Sequence, residues 1–233
     1  MMENTNSGKL YIVSTPIGNL EDITLRALRV LKEADLIAAE DTRHTRILLK
    51  HYEISTRLIS YHAFNEHRKT AELLEQISGG LKVAVVSDAG TPGIADPGFL
   101  FVREAVKAGI EPEIIPGVSS LTFAAVASGL PIDKFIFYGF LPVKSGRRGE
   151  AIKQIGAETK TCVVFESPHR IEKLLNEISA GIGADTPVAV IREATKMFEE
   201  VIRGTVSEVL QKTAGRKWKG ECVLVVSPCS GIE

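Results

Sequence analysis

Short apolar runs alternate with segments of helical period along almost the whole chain, and this alternation limits the fold more than any other feature of the sequence. Leu10–Ser14, Leu36–Ala39, Leu58–Tyr61, Val83–Ser87 and Glu113–Ile115 are short apolar runs of the kind that form strands. Phe135–Phe140, Thr161–Phe165, Val188–Arg192, Glu200–Gly204 and Glu221–Ser227 follow in the second half. Between runs, apolar residues recur at helical spacing. Leu25, Leu28 and Leu31 leave Arg26, Arg29 and Lys32 for water, and Leu73, Leu74, Ile77 and Ile171, Leu174, Leu175, Ile178 repeat the pattern. Such alternation predicts an α/β fold with mainly parallel sheets. Five runs before residue 116 and five after 134 predict two α/β domains, 9–117 and 118–228, with a disordered tail at 1–8 and another tail at 229–233.

The longest uncharged stretch, Ile114–Ile132, has the nineteen residues of a membrane span. Pro116, Pro131, Gly117, Gly129 and the hydroxyls of Ser119, Ser120, Thr122 and Ser128 suit lipid poorly, so a strand end, a turn and a buried helix are expected. The opening MMENTNSGK has an early acid and no apolar core behind it, unlike a signal peptide. Twenty-eight basic residues against 29 acidic ones exclude a wholly basic nucleic-acid binder but not a local basic face. Cys162, Cys222 and Cys229 are too few and too dispersed for a disulfide framework or a structural zinc site. The expectation is a reduced, cytoplasmic protein with no metal centre, no membrane segment and no DNA partner.

In parallel sheets ligands sit beyond the carboxyl ends of strands, which directs attention to three loops. They are Ser14–Leu20 after the first run, Ser87–Gly98 after the fourth and Pro116–Ser120 after the fifth. The middle one packs three glycines, two prolines and two aspartates into twelve residues. Glycine permits close backbone approach and proline stiffens the loop, so amides beside the Asp88 carboxylate suit a small polar molecule bearing positive charge. An elaborate turn without a ligand is the alternative. No Gly-Lys-Ser/Thr follows and no Gly-x-Gly-x-x-Gly is present, so neither a Walker loop nor a dinucleotide fingerprint exists here.

In the second half, Phe165–Arg170 runs from a strand into a helix start, with Ser167 as N-cap and Pro168 at the first helical position. Glu166, His169 and Arg170 stand beside them, and Arg192–Lys196 brings mixed charge to another strand end, where structural and functional readings are balanced. Basic residues form four patches. Arg43, Arg46 and Lys50 share a helical face beside His44; His62, His67, Arg68 and Lys69 follow; Lys144, Arg147 and Arg148 occupy an expected loop; Lys217 and Lys219 bracket Trp218, the only tryptophan. Such patches read either as solvated faces or as contacts for phosphates and bases.

Seven segments carry a resemblance: Leu10–Leu20, Glu40–Leu49, Ser60–Glu66, Val86–Gly98, Pro116–Ser120, Phe165–Arg170 and Arg192–Gly204. In order and type they resemble the tetrapyrrole methylase superfamily of class III S-adenosylmethionine (AdoMet) methyltransferases. Within it, EDTR, HAFNE and REATK resemble the ribosomal RNA small subunit methyltransferase I group. The resemblance implies two α/β domains with AdoMet in a cleft between them, S-adenosylhomocysteine as product, and a homodimer. It implies 2′-O-methylation of a cytidine ribose in 16S ribosomal RNA of the small subunit. Many members carry a further C-terminal domain, whereas this sequence ends at Glu233. Carried onto matching positions, the cofactor residues are Pro16, Asp88, Ala89, Gly90, Thr91, Pro92, Gly93, Ile94, Ser119, Phe165 and Glu166. Glu40, Asp41, Glu66, Glu166 and His169 are candidate bases, with Lys196 and Arg43 as orienters. Arg43, Arg46, His67, Arg68, Arg147 and Arg148 are the candidate RNA contacts. The competing readings are a small-molecule, tetrapyrrole-type methyltransferase on the same fold and a non-catalytic ribosome assembly factor that binds AdoMet and RNA.

Overall fold

The computed structural model describes residues 8–228; the tails beyond them, with Cys229, lie outside the described residues. Gly8, expected in the disordered tail, instead packs so closely on the Ile77 carbonyl that a Cβ would overlap it. The chain divides into two compact units between Ser119 and Ser120.

The first unit alternates strand and helix without exception: β1 (Lys9–Val13), α1 (Leu25–Glu33), β2 (Leu36–Ala39), α2 (Thr42–His51), β3 (Arg57–Ser60), α3 (Glu66–Ser78), β4 (Lys82–Val86), α4 (Phe99–Lys107) and β5 (Glu113–Ile115). The strands lie in the order β3-β2-β4-β1-β5, every pairing parallel. Period-two alternation sends Tyr11, Val13, Ile37, Ala39, Ala84 and Val86 to one face, against Ala27, Val30, Leu31 and Leu49 of α1 and α2. Leu10, Ile12, Leu36, Ala38, Val83 and Val85 meet Leu73, Ile77, Phe101 and Ala105 of α3 and α4 on the other. Covered on both faces, β2 is buried throughout, which is why its sequence is an unbroken apolar run. Local signals agree with the tertiary ones: Thr24 Oγ1 accepts the Ala27 N–H and so caps α1.

The second unit holds α5 (Ser120–Ser128), β6 (Phe135–Phe140), α6 (Ser145–Ala157), β7 (Thr161–Glu166), α7 (Ile171–Gly181), β8 (Pro187–Arg192), β9 (Glu200–Thr205), α8 (Val206–Lys212) and β10 (Cys222–Val226), with strand order β6-β7-β10-β8-β9. Only β6 and β7 are parallel; β10 runs antiparallel to β7 and β8, and β9 to β8. Among the described residues pairing is thus mainly parallel, five pairings in eight, while this sheet taken alone is mixed. Helices α6, α7 and α8 cover one face through Ile152, Ile155, Leu174, Ile178 and Val209, and Ala124 and Ala125 of α5 cover the other. Residues 114–132 are, as expected, a strand end, a turn and a helix, and no described helix is long and apolar enough to cross a membrane. Helix α7 starts at Ile171, later than Ser167 capping implied; Ser167 Oγ and its carbonyl accept the N–H groups of His169 and Arg170 in a turn.

Candidate active site

Within the first sheet β2 and β4 are neighbours, yet the chain leaves β2 toward β3 and leaves β4 toward β5, on opposite sides. Such a divergence opens the sheet's carboxyl edge to a ligand. The residues placed there are Glu40 and Asp41 after β2 and Asp88 after β4. Asp88 Oδ1 accepts the Asp41 N–H at 3.0 Å, and the Asp88 backbone in turn donates to Glu40. His44 Nδ1 stands 3.4 Å from Asp88 Oδ2.

Charge crowding separates the acids by character. Burial pushes the Glu40 carboxyl above the ordinary carboxylate range, the Asp88 charge adds to this, and the Asp88 backbone hydrogen bond and His62 oppose it. Asp41 moves the other way, because Arg43 binds it bidentately, Nη2 to Oδ2 at 2.6 Å and Nε to Oδ1 at 3.0 Å, and holds its carboxyl far below that range. Glu40 is therefore the more basic carboxylate, and Asp41 is committed to the helix start it caps.

The loop after β4 is rigid. Thr15 and Gly90 exchange backbone hydrogen bonds of 2.9 and 3.0 Å, Ser14 Oγ lies 2.8 Å from Thr91 Oγ1, and Thr15 Oγ1 donates to the Ser87 carbonyl at 3.2 Å. Pro16 and Pro92 are buried, while Ala89, Thr91 and Gly93 are half-buried and Ile94 is exposed. Gly98 caps α4 with φ +139°, and a Cβ on it would lie 2.9 Å from the Gly93 nitrogen, so the loop closes only with glycine there.

Other candidates are dispersed. Arg43, Arg46 and Lys50 are exposed along α2, and His67 and Arg68 are exposed on α3, whose first residue is Glu66. Arg68 pairs with Glu72 at 2.7 Å, whereas no described partner holds Arg46. Ser119 is half-buried at the end of the first unit.

In the second unit several expectations need correction. Arg148, expected as an RNA contact in a loop, lies in α6 and is 2% exposed, donating to Glu166 at 2.7 Å and Glu177 at 2.6 Å. Glu166, expected as a base and cofactor contact, has a fully buried side chain locked between Arg148 and Arg170. Burial of these charges is tolerated because each is paired and hydrogen-bonded. Trp218 is a core residue under the Arg216 guanidinium rather than a stacking surface. Arg147 and His169 are exposed, and Phe165 packs edge-on against Phe137 and Phe140.

Lys196 is held between Glu193 and Glu221, 3.0 Å from each. Glu193 Oε1 also accepts the Glu221 N–H, and Glu193 and Thr195 adopt positive φ, 51° and 65°. Gly220, with φ +82°, faces the Glu193 carboxyl so closely that a Cβ would overlap it.

Sequence reasoning grouped His62 with a basic patch. The structure puts it after β3 beside Glu40, with Nδ1 buried and lacking a described hydrogen-bond partner. Its position two residues beyond a strand that borders β2 was the signal available. Among the described residues no cluster of acids, histidines and cysteines could hold a metal.

Comparison with known proteins accords with this arrangement. A family model described as Tetrapyrrole (Corrin/Porphyrin) Methylases matches residues 9–210. A Thermotoga maritima protein named ribosomal RNA small subunit methyltransferase I is 48% identical over 220 residues, covering 94% of this chain and 98% of its own. An Escherichia coli O157:H7 protein of the same name is 47% identical over 225 residues, 96% of this chain and 79% of its own. Uroporphyrin-III C-methyltransferase from Thermus thermophilus, solved in complex with S-adenosyl homocysteine, superposes with a TM-score of 0.64 over 95% of this chain and 98% of its own; at 20% identity that likeness concerns the fold alone. The chain thus belongs to the tetrapyrrole (corrin/porphyrin) methylases, and within them to the ribosomal RNA small subunit methyltransferase I group.

Proposed function

We propose that this protein methylates small-subunit ribosomal RNA, with AdoMet as methyl donor and the 2′-oxygen of a cytidine ribose as acceptor. The observation that carries the reading is identity of 44–48% over nearly the whole chain to relatives named for that RNA. The cytidine and its 2′-oxygen rest on the resemblance of EDTR, HAFNE and REATK.

The residues at the sheet edge fit AdoMet. Its sulfonium and ammonium are cations, and half-buried Glu40 and exposed Asp88 put two carboxyl groups at that edge. The Thr15–Gly90 bridge and the glycines that follow bring backbone close to the same edge, which suits a small polar ligand. Asp88, with Pro16 and the loop 89–94, is assigned to the cofactor. When bound, AdoMet supplies an electrophilic methyl carbon.

Glu40 is assigned as the base. A carboxylate lifted toward neutrality by burial accepts a proton more readily than an ordinary one. Glu40 would take the hydroxyl proton as the ribose oxygen received the methyl group that bound AdoMet would supply, with S-adenosylhomocysteine as the leaving product. Holding the oxygen in line and keeping water away supplies much of the remaining acceleration. Arg43, Arg46, Lys50, Arg68 and Arg147 offer exposed cations for phosphates, with the exposed His67 ring beside Arg68. The working form is a cytoplasmic homodimer acting on the small ribosomal subunit, as the resemblance supports.

The test incubates the protein with methyl-labelled AdoMet and small subunits from cells lacking the activity, then digests the RNA to nucleosides. Label in 2′-O-methylcytidine is expected. AdoMet binding without label in any nucleoside would sink the reading and favour a small-molecule substrate or a binding module.

A further inference from the structure

We propose that the turn after β3, His62–Asn65, is the seat for a substrate base, with the Phe64 ring as its stacking surface. The inference rests on the reading that the substrate is RNA, and deepens it.

Phe64 is 99% exposed, the most exposed of the large apolar side chains described. Its display does not come from a loose loop. Asn65 Oδ1 accepts the His62 N–H at 2.9 Å, Asn65 Nδ2 donates to the Ser60 carbonyl at 3.3 Å, and the His62 carbonyl accepts the N–H groups of Asn65 and Glu66, both at 2.9 Å. The His62 ring then stands edge-on to Phe64, with centroids 6.0 Å apart. A fixed backbone thus presents an aromatic face to solvent, where it adds nothing to the core.

Its surroundings select the occupant. His67 and Arg68 follow on the first turn of α3, both exposed, with Lys69 half-buried beside them. Protein interfaces are depleted of charge at their centres, whereas base stacking beside cations that meet the phosphates is how single-stranded nucleic acid is held. His62 itself is held in place: Asn65 Oδ1 is committed to the His62 N–H, and Asn65 Nδ2 faces His62 Nε2 at 3.4 Å. The location is right as well: Tyr61 N–H donates to the Ala39 carbonyl at 2.7 Å, so the turn lies beside Glu40, the proposed base.

Three substitutions test this: Phe64→Ala, Phe64→Leu and Phe64→Trp. Because the ring is exposed, all three should melt as the parent does and bind AdoMet with parent affinity. Against small subunits, Phe64→Ala and Phe64→Leu should each lose about tenfold in kcat/KM, and Phe64→Trp should retain it. Trp218, the only native tryptophan, is buried, so Phe64→Trp adds an exposed indole whose emission should be quenched by small-subunit RNA. Parent-like kcat/KM for Phe64→Ala, with the parent still labelling RNA, overturns this inference and leaves the methyltransferase reading standing. Full activity in Phe64→Leu, with Phe64→Ala sedimenting as a smaller species, reassigns the ring to contact with a second copy. A parent that labels no RNA and an indole that RNA does not quench remove both readings together.

Discussion

Asp88 Oδ1 accepts the backbone N–H of Asp41 at 3.0 Å and so ties the ends of β4 and β2 together where their onward connections part. The same carboxylate is the negative charge assigned to the cofactor, so its geometric and electrostatic roles can be separated by one substitution.

Asp88→Asn keeps an acceptor for the Asp41 N–H and removes the charge. The melting temperature should hold, while AdoMet affinity measured by calorimetry falls about tenfold, or ~1.4 kcal/mol. Unaltered affinity would remove Asp88 from the cofactor site.

Glu40→Gln should make activity and stability move in opposite directions. The raised folded-state pKa of Glu40 means the native state holds its proton more tightly than the unfolded chain. That contribution is fully present below the ordinary value of 4.5 and is lost as pH rises through the folded-state value. At neutral pH Glu40→Gln should therefore melt higher than the parent, the gap closing as pH falls. Parent turnover should decline with falling pH through Glu40's elevated titration, and the variant should lack that limb. A variant with the parent's rate and pH profile would rule out Glu40 as the base.

Arg46 and Arg43 should differ despite sharing a helix face. Asp41 already neutralises Arg43, whereas no described partner holds Arg46. Arg46→Ala should flatten the slope of log affinity for RNA against log salt by about 0.7, as expected for one lost phosphate contact, and Arg43→Ala by less. Filter binding across a salt series reads both, and equal effects would mean that RNA breaks the Asp41–Arg43 pair.

Arg148→Ala should destabilise by about 3 kcal/mol, because it leaves buried Glu166 with Arg170 as its remaining ion-pair partner, beside the Ser167 N–H. Its exposed neighbour Arg147 should cost within about 0.5 kcal/mol when changed to Ala. Urea unfolding measures both. A small loss at Arg148 would mean that Arg170 suffices alone.

Among the described residues all ten strands were legible in the sequence, β2 and β10 most plainly, because strands covered on both faces must be apolar throughout. Strand direction in the second sheet was not, since an apolar run has no arrow. One clue was present: seven residues, 193–199, separate β8 from β9, too few for the crossover a parallel pair requires. Arg148 hid for a different reason. Its basic neighbours Lys144 and Arg147 and the flanking glycines suggested a surface loop, yet Arg148, Ile152 and Ile155 follow helical spacing and share the buried side of α6. Trp218 misled in the same way, its flanking lysines saying nothing of where the indole itself points. The Glu40–Asp88 meeting depended on strand order, which brings together residues 48 positions apart and leaves no local trace.

The Glu193 carboxyl occupies the space over Gly220 that any larger residue would need, while Gly220 itself holds φ at +82°. In a saturation library selected for methylation, position 220 should therefore return glycine alone. Gly109, with φ +74° but open space around it, should also admit Asn and Asp. The seat of the Glu193 carboxyl, and with it one of the two anchors of Lys196, is thus kept open by a residue that contributes no side-chain chemistry of its own.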